Sequence, residues 1–263
     1  MKVMTYNILE GANLRFGDRT ELVIDIIERA GADIVGLCEC TGFDAENAAR
    51  FKYFRSRLRL DGAITRAPSG HHVCLFYRRG LRTFSRTNLA NTMYNGFARV
   101  AFESKELGPV TVVMTHLHPF SSWYRVTEVQ QVLGRASSSE ESIIMGDMNN
   151  LAPSDLPFDI DAAGPQLAGR LSGPDGQIDT LPIRAMLTQG FVDLGASTVG
   201  PTYPTRIERK QKESDIAVRL DYILATPGLA RRCRSIRAID ELPAHEASDH
   251  LPVIAEFDLT PVG

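Results

Sequence analysis

Six short apolar runs in this sequence each begin or end at a residue that can do chemistry. Asn7 ends the first run and Glu39 the second, and His116 follows the VVMT run. Asp147 and Asn149 follow SIIMG, Asp221 sits at the start of LDYILA, and Asp249 and His250 stand just before the last run. A carboxylate buried at a strand end costs free energy unless it is paired or binds a metal. Asp147 and Asn149, two residues apart, face the same side of an extended segment. Each of these residues alone has an ordinary reading: Asn7 a turn residue, Glu39 a solvated strand end, His116 a structural histidine, GDMN a turn, Asp249 and His250 a cap. All of them together, each at a strand end, describe a polar rim with a function.

The elements that must carry this rim follow from periodicity. Residues 2–8 form an apolar strand and lead into a loop containing Gly11. Leu22, Val23, Ile26, Ile27 and Ala30 have helical spacing, which predicts a helix over 20–30 with Thr20 as its cap and Gly31 as its stop. Residues 33–39 make the next buried strand, so the chain opens strand–helix–strand. Strands follow over 73–77, 97–102 and 110–115, with Gly108 and Pro109 marking the turn between the last two. A helix over 123–135 places Trp123 and Tyr124 on its core face; the same pair is the one hint of an exposed aromatic element. A strand spans 142–146, and residues 151–178, rich in Pro, Gly and Asp, read as a long loop. A helix over 183–189 and strands over 220–225 and 251–257 complete the chain. Strands outnumber helices in both halves, which implies one domain over residues 1–263, with two packed sheets and helices outside.

Composition limits the function classes. Of the 263 residues 43% are hydrophobic and 23% charged, which excludes a disordered or collagen-like chain. The net charge of −3 argues against a polybasic nucleic-acid coat, though not against an enzyme that meets phosphate through a cation. Cys38, Cys40, Cys74 and Cys233 are too scattered for a disulfide framework, and Cys38 and Cys40 are too close for a CxxC zinc pair. Free buried thiols, an N-terminus that enters a strand directly, and no stretch long enough to span a membrane together predict a cytoplasmic monomer.

The motifs TYNI at 5–8, Glu39 after DIVGLC, THLHP at 115–119, GDMN at 146–149, RLDYIL at 219–224 and SDHLPV at 248–253 resemble the endonuclease/exonuclease/phosphatase family, which includes DNase I, exonuclease III and the sphingomyelinases. The resemblance covers almost the whole chain. It implies an α/β (α+β) four-layer αββα sandwich of two packed mixed sheets with outer helices. It also implies roles. Glu39, with Asn7 and Asp249, would hold Mg²⁺, with Mn²⁺ as the alternative. Asp147 would deprotonate the attacking water and Asn149 would fix it or a phosphate oxygen. His250 would donate to a phosphate oxygen, oriented by Asp221, and His116 would stabilise the transition state or the leaving group.

The chain also departs from the family's pattern. Cys38 stands where the family commonly has Gln, and a thiol cannot supply the amide's hydrogen bonds. His71 and His72 stand where relatives often carry a small or acidic residue beside the site; they are candidates either for substrate phosphate or for a strand cap, and alternation puts only one of them on the site face. Arg99 is a candidate phosphate fork or a surface arginine. The segment from His245 to His250 is not a zincin motif, because HExxH requires His at 249 and that residue is Asp249.

The expected activity is therefore metal-dependent hydrolysis of a phosphodiester or phosphomonoester, with a phosphoester substrate as the partner. The alternatives are a nuclease on DNA or RNA and a non-catalytic member that binds a phosphorylated ligand. A nuclease needs a basic track beside the site, and the candidates are residues 78–82, 206–212 and 231–234.

Overall fold

The computed structural model describes residues 1–81, 92–136, 141–209 and 216–261, and the backbone of 83–89. One six-stranded sheet contains β1 (Lys2–Asn7), β2 (Ile34–Cys38), β3 (Leu60–Thr65), β4 (Val73–Arg78), β11 (Cys233–Ala238) and β12 (Val253–Phe257), in the order β11-β12-β1-β2-β4-β3. The other contains β5 (Thr83–Leu89), β6 (Phe97–Ser104), β7 (Gly108–His116), β8 (Glu141–Asp147), β9 (Val192–Asp193) and β10 (Asp221–Ala225), in the order β5-β6-β7-β8-β10-β9. Both sheets are mixed, because β1 pairs parallel to β2 and β7 parallel to β8 while the other pairs run antiparallel. The helices are α1 (Thr20–Ala30), α2 (Ala45–Arg57), α3 (Ser122–Leu133), α4 (Gly164–Leu171), α5 (Leu181–Thr188), α6 (Arg206–Arg209), α7 (Pro227–Ala230) and α8 (Leu242–Ala247).

Alternation along the strands produces the layers. Val3, Ile34 and Leu75 point between the sheets and meet Val112, Met114, Met145 and Ile223. Their neighbours Met4, Tyr6, Val35 and Leu37 face the other way, onto Val23 and Ile27 of α1 and Phe54 of α2. On the second sheet Val113, Ile144, Tyr222 and Leu224 face Val129 and Val132 of α3 and Ile183 and Met186 of α5. Helix, sheet, sheet and helix make the expected four-layer sandwich. The sheets approach closely at Gly36, where a Cβ would lie 2.2 Å from the Met114 sulfur.

Register gathers the polar strand ends at one rim. Asn7 pairs with Cys38, the residue before Glu39, and His116 and Asp221 both pair with Asp147. β12 runs antiparallel to β1, which brings its start, after Asp249 and His250, to the same end.

Several local expectations are corrected. Thr20 does not cap α1; it is the first helical residue, and Asp18 Oδ1 accepts from the Thr20 amide at 3.0 Å and its hydroxyl at 2.5 Å. Gly31 does stop the helix, at φ 62°. Gly108 and Pro109 lie inside β7, and the turn falls at residues 105–107, where Ser104 Oγ accepts from the Glu106 and Leu107 amides at 3.2 Å. The 151–178 segment holds 3₁₀ turns at Pro153–Asp155 and Asp161–Ala163 and the helix α4. Trp123 and Tyr124 do not face the core; they are 70% and 63% exposed, because α3 buries Arg125, Glu128, Val129 and Val132 instead. Helix α2 gave no periodic signal. Only Phe51 and Phe54 are buried in it, and Glu46, Asn47 and Ala48 at its start have positive φ.

The close pairing of β7 and β8 generates a prediction. A Cβ on Gly146 would lie 1.8 Å from the Thr115 carbonyl oxygen, a backbone atom that cannot yield. Gly146→Ala should therefore cost about 3 kcal/mol or more. Gly200→Ala, into open space, should stay within about 0.5 kcal/mol of wild type. Urea unfolding midpoints of the two variants check this.

Candidate active site

The rim is built around Asn7. Its side-chain Nδ2 donates to Glu39 Oε1 at 3.1 Å and to Asp147 Oδ2 at 3.0 Å, so one amide joins carboxylates carried by the two sheets. Asn7 Oδ1 accepts from the Leu9 amide at 3.1 Å, and the Glu10 amide donates to Glu39 Oε2 at 3.0 Å. Burial opposes ionisation of Glu39, but attraction to His116 and His71, when these carry charge, and the Asn7 and Glu10 donors outweigh it and hold the carboxyl below its usual range. The two hydrogen bonds persist whatever charge the imidazoles carry.

Asp147 Oδ1 accepts from the Asn149 amide at 2.9 Å. Its Oδ2 lies 3.5 Å from His116 Nε2 and 3.7 Å from His250 Nε2. Asn149 turns with φ 47°, and its Nδ2 donates to the Leu117 carbonyl at 2.9 Å. That leaves its second amide hydrogen for another partner.

His250 and Asp221 form a pair, with Nδ1 2.8 Å from Asp221 Oδ2. Burial alone would discharge His250, but Asp221 and Asp147 push its pKa well above the usual imidazole value. Asp221 is raised by its own burial, against the attraction of His250. Thr202 Oγ1 donates to Asp221 Oδ2 at 2.6 Å, while Oδ1 is buried without a partner. His116 differs: burial lowers its pKa and keeps the ring neutral, and its Nδ1 has no hydrogen-bond partner. Asp249 has little to offset its charge. Burial, with Glu39 and Glu208 nearby, raises it to about 6 despite His250.

Glu39, His71, His116, Asp147, Asn149, Asp249 and His250 line one cavity of about 470 Å³. Its other lining residues include Arg15, Tyr94, Asn95, Phe120, Arg170, Tyr203 and Glu208. Asp147, Asp221 and His250 also form a cluster whose ligand atoms lie within 4.8 Å of one another.

This constellation stands on a chain whose residues 4–250 match the model of the Endonuclease/Exonuclease/phosphatase family. The chain belongs to that family. Solved structures agree in fold across nearly the whole chain. An AP endonuclease from Archaeoglobus fulgidus is similar at 20% identity and a TM-score of 0.70, covering 98% of this chain and 99% of that one. The human Nocturnin catalytic domain is similar at 18% and 0.66, covering 99% and 93%. A mannosyl-6-phosphatase from Bacteroides thetaiotaomicron is similar at 15% and 0.67, covering 99% of each chain. Comparison with curated protein sequences finds no match. Members of the endonuclease/exonuclease/phosphatase family are in general metal-dependent phosphoesterases and nucleases.

The remaining sequence candidates separate. His71 lines the cavity, 3.2 Å from Thr41 Oγ1 and 3.8 Å from Glu39 Oε2. His72 does not: its Nδ1 accepts from the Ala67 amide at 3.0 Å and its Nε2 lies 2.8 Å from Asp44, which makes it a structural clasp. Arg99 is not among the lining residues and donates to Thr111 Oγ1 at 3.1 Å. Cys38 is buried with its Sγ 3.6 Å from the Thr115 carbonyl, pointing between the sheets rather than into the cavity.

Two of the basic tracks lie at the wrong end of the sandwich. Arg78 ends β4, whose other end reaches the rim, and it pairs with Asp33. Arg234 pairs with Asp258, at the end of β12 away from His250. Arg82 and residues 210–212 lie outside the described residues. No helix among the described residues is long and apolar enough to cross a membrane.

Sequence reasoning missed Thr202, Ser248 and Arg19. Ser248 Oγ donates to the Asn7 carbonyl at 2.6 Å, tying the last motif to the first. Arg19, fully inside the fold, donates to the Leu9 carbonyl at 2.9 Å and to that of Ala247. Ser248 stood within a quoted motif, but an arginine outside any motif carries no signal of its own.

The His250–Asp221 pair generates the next prediction. Asp221→Asn removes one of the charges that hold His250 protonated, and burial then pulls the ring toward its neutral form. The imidazole pKa should fall by at least about one unit, a change worth about 1.4 kcal/mol of interaction. Histidine ¹⁵N NMR titration reads it directly.

Proposed function

We propose that this protein is a divalent-metal-dependent phosphoesterase in which a water molecule attacks phosphorus in line with the leaving oxygen. The observation that carries the proposal is the Asn7 amide bridging Glu39 and Asp147 within one cavity that also holds Asn149, Asp249 and His250. These residues come from both sheets, and their burial has no structural return by itself.

The donor set fits a hard cation such as Mg²⁺ or Mn²⁺, which takes carboxylate and other oxygen ligands. Two groupings of ligands compete. The Asp147–Asp221–His250 cluster is compact, but Asp221 Oδ2 already serves His250 and Thr202. Asp249 has less: among the described residues it makes no ion pair within 4 Å, its one side-chain donor is the Ser248 hydroxyl at 3.3 Å, and it holds a proton up to about pH 6, while Glu39 lines the same cavity. We therefore assign the cation to Glu39 and Asp249, with Asn7 positioning Glu39. When bound, the cation polarises the phosphoryl oxygen and offsets the charge that develops there.

The chain's own residues supply the rest. Asp147 Oδ2 takes the proton of the attacking water, and Asn149 offers its remaining amide hydrogen to that water or to a phosphate oxygen. Protonated His250 donates from Nε2 to a non-bridging oxygen, with Nδ1 anchored on Asp221. Neutral His116 supports the leaving-group oxygen.

Hydrolysis of bis-(p-nitrophenyl) phosphate in Mg²⁺ or Mn²⁺, with monoesters assayed beside it, tests the proposal. Asp147→Ala should lower the rate on the order of a hundredfold or more. No metal-dependent turnover by the wild type on any diester or monoester would sink the enzyme reading. Two of the three basic tracks are displaced from the rim, which favours a small substrate over a long polyanion, although the third begins in α6, whose Glu208 lines the cavity. Weak DNA binding near physiological salt is the expected companion result.

The pH dependence of metal binding follows from Asp249. Its proton must leave before the cation binds, so affinity is full above about pH 6 and falls as pH drops through that value. Below it, Mn²⁺ affinity measured by electron paramagnetic resonance should fall up to about tenfold per pH unit. Asp249→Asn should flatten the profile.

A further inference from the structure

The acidic half of the cavity accounts for phosphate chemistry, but a second part of its lining does not. Tyr94, Asn95, Phe120 and Arg170 also line the cavity, and none has a role in the hydrolysis described above. Phe120 is 60% exposed. The Tyr94 and Phe120 rings meet edge to face at 6.5 Å, and the Arg170 guanidinium lies 5.3 Å from the Phe120 centroid.

Beside them Asn95 is buried, and its Oδ1 accepts from Ser69 Oγ at 2.7 Å. Its Nδ2 has no partner among the described residues. A buried amide donor is ordinarily satisfied, so an unpaired one in a cavity lining marks a place for an acceptor on a bound molecule.

This lining is held rigidly by two buried charged residues of α3. Glu128 accepts from the Tyr94 amide at 2.8 Å and from the His118 amide at 2.7 Å. Arg125 donates to the His118 carbonyl at 3.1 Å and to the Arg170 carbonyl at 2.7 Å. Three separate segments, those carrying Tyr94, Phe120 and Arg170, are thus pinned to one helix. His118 Nδ1 accepts from the Phe120 and Ser121 amides, both at 3.1 Å, which fixes the turn that presents Phe120. Burying an arginine and a glutamate to hold exposed aromatic rings in place makes physical sense only if the rings receive something.

We infer that this lining receives a nucleobase, which makes the substrate a nucleoside phosphoester. The inference rests on the phosphoester reading above. Aromatic rings and a planar guanidinium stack on the flat face of a base, and the Asn95 amide donates to an acceptor on its edge. A bare sugar phosphate has no π face for Phe120 and Arg170. An acyl chain would leave the Asn95 donor unsatisfied.

Isothermal titration of the Asp147→Ala protein with AMP, adenosine and ribose 5-phosphate, without added divalent cation so that turnover is suppressed, tests this. The expected result is that AMP binds at least about tenfold more tightly than ribose 5-phosphate, and that adenosine binds measurably. Adding Phe120→Ala should bring the AMP to ribose 5-phosphate ratio close to one. Asn95→Asp, which keeps the acceptor for Ser69 and removes the donor, should lower AMP affinity severalfold. Equal affinities for AMP and ribose 5-phosphate overturn the inference, and so does a preference that Phe120→Ala leaves intact. Loss of the phosphoester reading would show separately, as absent bis-(p-nitrophenyl) phosphate turnover with the adenosine result still readable.

Discussion

One carboxamide holds the site together. The Asn7 side chain lies where the two sheets meet at the rim and donates to Glu39 on one side and to Asp147 on the other. Two carboxylates that close repel each other and resist burial, yet each gains a donor from the same nitrogen. Asn7 can do this because its own carbonyl is fixed by the Leu9 amide, and its backbone carbonyl accepts from Ser248. An aspartate there would add a further negative charge and remove both donors. The register of β8 with β7 and β10 delivers Asp147 to this contact, which ties the two sheets together at this end of the sandwich.

The electrostatics of the rim follow from that constraint. Burial pushes Asp221 and Asp249 up and His116 down. His250 goes against its own burial because it faces both Asp221 and Asp147. The cavity thus holds one imidazole charged and another neutral within 4 Å of the same Asp147 oxygen. Two histidines with opposite protonation can serve two different oxygens of one phosphoester. Among these carboxylates Asp249 has the least to offset its charge, which supports the cation site proposed there.

Much of this was legible in the sequence, because the site is made of strand ends and strands announce themselves by apolar runs. Asn7, Glu39, His116, Asp147, Asp221 and His250 could be placed at one rim once the runs were counted. The sandwich itself follows from strands in both halves that need two faces covered. Features fixed by tertiary contact were not legible. Thr202 matters because it donates to Asp221 from a loop without periodicity. Alternation allowed only one of His71 and His72 on the site face, and it is the contacts of His72 with Ala67 and Asp44 that decide which. Trp123 and Tyr124 read as core because a helix must bury something; what α3 buries at its start is Arg125 and Glu128. A buried ion-bearing face cannot be read from an apolar pattern.

That last inversion bears on how the cavity works. Placing Arg125 and Glu128 inside and aromatic rings outside is unfavourable on transfer energies alone, since buried charges are costly even when hydrogen-bonded. The arrangement persists because the two charges satisfy backbone groups of three rim segments that would otherwise be loose. Order at the rim is then available before any ligand arrives, and a ligand that stacks there need not pay for ordering the loops. Left-handed residues on the acidic side tell the same story: Leu9, Glu10, Glu39 and Asn149 all have positive φ, a backbone choice that only a tightly determined surrounding maintains. Both halves of the cavity are therefore rigid for different reasons. The acidic half is held by strand register and the Asn7 bridge, the aromatic half by the hydrogen bonds of two buried helix side chains, Arg125 and Glu128, to its backbone. A substrate that spans them is selected by the fixed distance between the halves as much as by the chemistry of either one.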